Sequence, residues 1–203
     1  MKICVLFPGI GYTNDRPLLY YSGKLASSLG YTVIRSDYTG FPKDVKSSLA
    51  GVEAAYDTAL PQAEEFLRDA DLRGAEDVVF ISKSIGTVVA AGYAEKYGLR
   101  TRNIYYTPVA ATFRFHMNPG IAFTGTADRW VTAAEVADGC EKAGIPLFIT
   151  KNANHSLETG SVLQDIGILS GIMQKTEEYL RNPEPCSRSE EHTSELQSLN
   201  SIS

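Results

Sequence analysis

The stretch Asp77-Val78-Val79-Phe80-Ile81-Ser82-Lys83-Ser84-Ile85-Gly86-Thr87-Val88-Val89-Ala90-Ala91 passes from apolar residues through a Ser-x-Ser-x-Gly turn into a run of small residues. A strand that turns sharply into a helix exposes the hydroxyl of a serine at the apex, provided the residues two before and two after it are small. Ser82 and Gly86 meet that demand around Ser84. The chemistry this permits is nucleophilic attack on a carbonyl, because the helix N-terminus just beyond offers N–H groups and a positive dipole end to an oxyanion. A serine that merely caps the helix is the competing reading.

A serine nucleophile needs a base to take its proton and a third group to orient that base. In a parallel sheet such groups gather at the C-terminal ends of strands. Two residues qualify. Asp128 follows the apolar run Ile121-Ala122-Phe123-Thr124, and His155 follows Leu147-Phe148-Ile149-Thr150. Asp128 could instead cap a helix near Thr132, and His155 could be a surface loop histidine. His116 competes as a base from the short aromatic linker Phe113-Arg114-Phe115-His116. The loop Phe7-Pro8-Gly9-Ile10-Gly11-Tyr12-Thr13 is rich enough in glycine to let backbone approach a reacting carbonyl. The expected oxyanion donors are therefore the amides of Ile10 and Ile85. Gly9, Gly11, Tyr12, Thr13, Thr107 and Trp130 are the candidate substrate-binding positions, with Tyr106 beside them; aromatic residues at such ends also serve packing. Asn154 and Ser156 could simply shape the turn that presents His155.

Apolar runs of strand length alternate with helix-length patterns, the signature of a mostly parallel sheet covered on both faces. The predicted strands are 2–7, 32–36, 77–82, 101–106, 120–124 and 146–150. Helices are expected over 17–29, 46–69, 85–97, 133–143 and 162–180, with Pro61 as a kink site in the second. The connection 107–119 is about a dozen residues long and holds no long amphipathic element, so it has no room for a separate cap domain.

With 203 residues and 43% hydrophobic content, the chain reads as one domain over residues 1–182 with a substantial core. A net charge of −5 and the lack of any Lys/Arg run argue against a nucleic-acid surface. The first apolar run meets Pro8-Gly9 too soon to be a signal peptide or membrane span. Cys4, Cys140 and Cys186 show no paired or metal-ligating spacing, which fits a reducing, cytoplasmic setting. No metal or cofactor is expected. Gly9-Ile10-Gly11 with Asp37 superficially suggests dinucleotide binding, but Asn14 stands at the third glycine position and Pro17 delays the helix. Nothing in the sequence indicates oligomeric state.

Residues 188–198, Arg-Ser-Glu-Glu-His-Thr-Ser-Glu-Leu-Gln-Ser, resemble the translation of a common short-read sequencing adapter. The tail 183–203 is therefore expected to be disordered and artefactual, and His192 drops out of the catalytic argument.

Taken together, the Ser84 turn, the Ser-Asp-His order and the glycine loop resemble a small α/β-hydrolase without a cap domain, more distantly a dienelactone-hydrolase-like bacterial enzyme. The resemblance spans about residues 1–180. It implies a three-layer α/β/α sandwich of about six strands lacking the family's first two, with a nucleophile at Ser84, an acid at Asp128 and a base at His155. Ser82 departs from the glycine usual in that elbow. The activity implied is hydrolysis of a small-molecule carboxylic ester or thioester; acyl transfer, peptide cleavage or a non-catalytic binding role are the alternatives.

Overall fold

The computed structural model describes residues 1–41, 45 and 49–182. The expected tail 183–203 and the first residues of the predicted second helix, 46–48, lie outside the described residues. Six strands form the sheet: β1 (Lys2–Phe7), β2 (Tyr31–Arg35), β3 (Asp77–Lys83), β4 (Arg102–Tyr106), β5 (Gly120–Gly125) and β6 (Leu147–Thr150). Their order is β2-β1-β3-β4-β5-β6, and all five pairings are parallel. Helices α1 (Pro17–Ser28), α2 (Leu49–Leu67), α3 (Ile85–Lys96), α4 (Ala133–Ala143) and α5 (Val162–Arg181) cover it. α2 runs on through Pro61.

Strand alternation divides the core between two faces. Cys4, Leu6, Val79, Ile81, Ile104, Tyr106, Ile121 and Phe123 pack with residues of α1 and α5. On the opposite face Ile3, Val5, Phe7, Val78 and Phe80 pack with α2 and α3, while Tyr105 and Ala122 meet α4. The three-layer α/β/α sandwich expected from the sequence is thus the observed architecture. A short 3-10 helix, Ala110–Arg114, is the only helical element between β4 and β5, so no cap domain is built there. No helix among the described residues is long and apolar enough to cross a membrane.

The strand order reverses at β1, whose neighbours are β2 on one side and β3 on the other. The crevice above the C-terminal ends of β1 and β3 is where open parallel sheets gather ligands. Phe7 pairs with Ser82 in that register, so the glycine loop and the Ser84 turn leave the sheet side by side.

The far end of the sheet is fastened by a buried charge. Arg102 donates through Nη1 to Asp77 at 2.9 Å and to the Tyr31 hydroxyl at 3.2 Å. Its Nη2 donates to the carbonyls of Tyr179 and Asn182, at the end of α5. Only 11% of each side chain of the Arg102–Asp77 pair is exposed. Removing one member strands the other in a dry site, so Arg102→Ala is expected to lower stability by about 3 kcal/mol. Urea unfolding would read this as a fall in midpoint at unchanged slope. Arg102→Lys should rescue little, because a single ammonium cannot reach both sets of acceptors.

Candidate active site

Ser84 leaves β3 with φ 57° and ψ −124° and stands at the N-cap position of α3. Its side chain makes no capping hydrogen bond, so the cap reading fails and the hydroxyl is aimed elsewhere. A non-glycine residue in this backbone region costs about 1–3 kcal/mol, and the surroundings must hold it there. They do so by close approach. A Cβ at Gly86 would lie 2.2 Å from the Phe7 carbonyl oxygen and 2.5 Å from that of Pro8. One at Gly9 would lie 3.0 Å from Ser84 Cβ and 3.1 Å from the Lys83 carbonyl oxygen. The β1 loop and the Ser84 turn are therefore in backbone contact. Gly86→Ala cannot be absorbed by a side-chain shift, because the obstacle is main chain. We expect it to unfold the turn, with a thermal midpoint lowered by 8 °C or more, roughly 2–3 kcal/mol for a domain of this size.

Ser82, fully buried, fits where the resemblance expected glycine by turning its hydroxyl onto the Ile104 carbonyl at 3.3 Å. Lys83, also buried, places its ammonium 5.1 Å from the centre of the Tyr12 ring.

His155 Nε2 lies 2.8 Å from Ser84 Oγ, and His155 Nδ1 lies 2.6 Å from Asp128 Oδ2. The three side chains, far apart in sequence, form one hydrogen-bonded line. Asp128 hangs from the turn after β5, its carboxylate fully shielded. Its other oxygen, Oδ1, accepts the amides of Trp130 at 2.8 Å and Val131 at 3.3 Å. It is not a helix cap: Thr132 caps α4 through a reciprocal pair with Glu135. Burial pushes the Asp128 carboxyl up, but the His155 hydrogen bond and charge and the two amides outweigh it and hold the group below its ordinary value. An ionised Asp128 can only accept, so His155 donates from Nδ1 and its Nε2 is left to accept the Ser84 proton.

The loop after β6 is shaped locally for this. Asn154 Oδ1 accepts the amides of Ser156 at 2.7 Å and Glu158 at 3.2 Å, and Leu157 takes φ 61°. Thr107 departs from the sequence expectation. It is fully buried with φ 42°, and its hydroxyl donates to the His155 carbonyl at 3.1 Å. Its place is behind His155 rather than on a cleft wall. Trp130 stands beside the imidazole, ring centres 4.8 Å apart.

In the β1 loop, Gly9 and Tyr12 exchange both backbone hydrogen bonds, at 3.1 and 3.2 Å, with Gly11 at φ 71°. Ile10 heads this tight turn. Ile85 is the first residue of α3, where amides have no intrahelical partner. Tyr12 is largely buried and its hydroxyl accepts the Leu18 amide at 3.1 Å, whereas Thr13 is exposed. Asn14, at the would-be third glycine position, is buried with its amide on the Ser36 carbonyl. His116 sits in a different groove with Met117 and Lys142. Among the described residues no three His, Cys, Asp or Glu side chains are grouped to hold a metal ion.

No protein family model matches the chain. No curated protein sequence matches it either. Solved structures do. An α/β serine hydrolase without lid from Xanthomonas campestris superposes with a TM-score of 0.64 at 16% identity, covering 92% of this chain and 84% of that one. An esterase from Pyrococcus furiosus gives 0.63 at 14% identity, with 89% and 82% covered. An α/β serine hydrolase homologue from Coxiella burnetii gives 0.54 at 16% identity, with 86% and 84% covered. At such identities the likeness is one of fold: the chain has the α/β-hydrolase fold, with no cap domain among the described residues.

Proposed function

We propose that the protein is a serine hydrolase that cleaves a carboxylic ester or thioester through an acyl-enzyme intermediate. The observation that supports this most is the hydrogen-bonded line Asp128–His155–Ser84, with the serine held in a strained turn that its own helix does not use. His155 Nε2 takes the Ser84 proton as Oγ attacks the carbonyl carbon. The carbonyl π electrons move to oxygen, and the amides of Ile10 and Ile85 receive that charge; each such donor is worth roughly 3 kcal/mol in the transition state. Asp128 keeps the imidazole in the productive tautomer and stabilises the imidazolium. The tetrahedral centre collapses, the bond to the leaving oxygen or sulfur breaks, and His155 returns the proton to it. Water, activated by the same imidazole, then adds to the acyl group and frees Ser84. No cofactor enters this scheme. The free thiols of Cys4 and Cys140, buried in separate cores, suit a cytoplasmic setting.

Turnover of p-nitrophenyl esters of graded acyl length, with acyl-CoA thioesters beside them, tests this reading. Catalytic release of p-nitrophenol is the expected result; rates no faster than buffer across the whole panel would overturn it.

A further inference from the structure

Beside the catalytic line an apolar groove of about 400 Å³ lies between the loop after β1, the start of α1 and the start of α5. Tyr12, Leu18, Leu157, Val162, Ile166 and Leu169 line it. Val162 and Ile166 are 73% and 59% exposed, with Leu163 beside them at 83%. A contiguous exposed apolar patch is a mark of a binding surface. The groove neighbours the candidate site: Ser156, Glu158 and Gly160 line both it and the chamber that holds His155 and Trp130.

Resting on the hydrolase reading above, we propose that this groove takes the alkyl part of the leaving alcohol, so that the preferred substrates are esters of apolar alcohols. The side is set by proton transfer. His155 Nε2 must lie against the leaving oxygen to protonate it, and the cavity next to His155 shares its wall with the groove. That wall is the segment 156–160.

Acetate esters of ethanol, butanol, hexanol and octanol, followed by acid release, test the assignment, with ethyl esters of acids of matched length as the second arm. Burying a methylene favours binding by up to about fourfold, so kcat/KM should climb steeply along the alcohol series. The double substitution Val162→Ser, Ile166→Ser should at least halve the logarithmic slope of that series and leave the slope of the acyl series unmoved. A flat alcohol series, a slope indifferent to the substitutions, or flattening of the acyl series instead would overturn the assignment. Should the variant fail to fold, protection of Ser84 from fluorophosphonate labelling by free alkanols decides. Protection should strengthen from ethanol to octanol and exceed that of the matched carboxylates; equal or weaker protection refutes it. Labelling of Ser84 without any alcohol-length dependence sinks this inference alone, whereas no labelling and no ester turnover sinks the hydrolase reading itself.

Discussion

Ser84→Ala is expected to lower kcat for p-nitrophenyl butyrate by about 10⁴- to 10⁶-fold while the protein stays folded. The size follows from the position: the hydroxyl's hydrogen bond is to His155, so nothing in the core depends on it. Alanine occupies the same strained backbone, and the contacts of Gly86 and Gly9 that impose the turn are to main chain and Cβ, which the substitution leaves in place. Stability should therefore change by no more than about 1 kcal/mol. A residual rate above water would remain if the Ile10 and Ile85 amides still polarise the carbonyl. A variant within tenfold of wild type would show that another group is the nucleophile.

Asp128→Asn should reduce kcat by roughly 10⁴-fold, nearly as much as loss of the nucleophile, although it removes no reacting atom. The neighbours determine how the amide sits. Trp130 and Val131 both donate to Oδ1, so the asparagine oxygen must take that side and its NH2 must face His155. The imidazole is then driven to accept at Nδ1 and to carry its proton on Nε2, where it cannot take one from Ser84. Steady-state kinetics on the same ester checks this; an effect below tenfold would mean the tautomer is fixed by something else. The same carboxylate carries a pH signature in stability. Its folded value is lowered, so its contribution is complete above the ordinary value of 3.8 and is lost as the pH falls from there through the folded value. The gap in urea midpoint between wild type and Asp128→Asn should narrow over that acid range.

The hydrogen-bonded line of Ser84, His155 and Asp128 was legible in the sequence because each member sits where a strong local pattern ends. Ser84 follows the apolar run Val78–Ile81 through Ser82-Lys83 and opens a small-residue helix, while Asp128 and His155 each follow a short apolar run into a turn. What the residues around them do was less legible. Thr107 follows the end of β4 as a pocket residue would, yet it takes a left-handed backbone and its hydroxyl donates to the His155 carbonyl. Its amide donates to the Phe123 carbonyl at 2.8 Å, a contact no local pattern reports. Arg102 reads as an ordinary polar start to a strand, and becomes a buried anchor only because the end of α5 returns to it. Strand ends differ from expectation by one residue where pairing decides: β3 reaches Lys83 because Tyr106 pairs with it, and β2 begins at Tyr31 opposite Lys2. The apolar start of α5 fits the helical period, but its exposure depends on how α1 and α5 meet, and periodicity is silent on that.

The central claim is that Ser84 is an activated nucleophile, and its reaction with a fluorophosphonate probe tests it most directly. The wild-type protein should take up one phosphonyl group, mapped by mass spectrometry to the peptide carrying Ser84, with labelling abolished in Ser84→Ala and slowed in Asp128→Asn. No adduct on the folded wild type, or an adduct that persists undiminished in Ser84→Ala, would contradict the account.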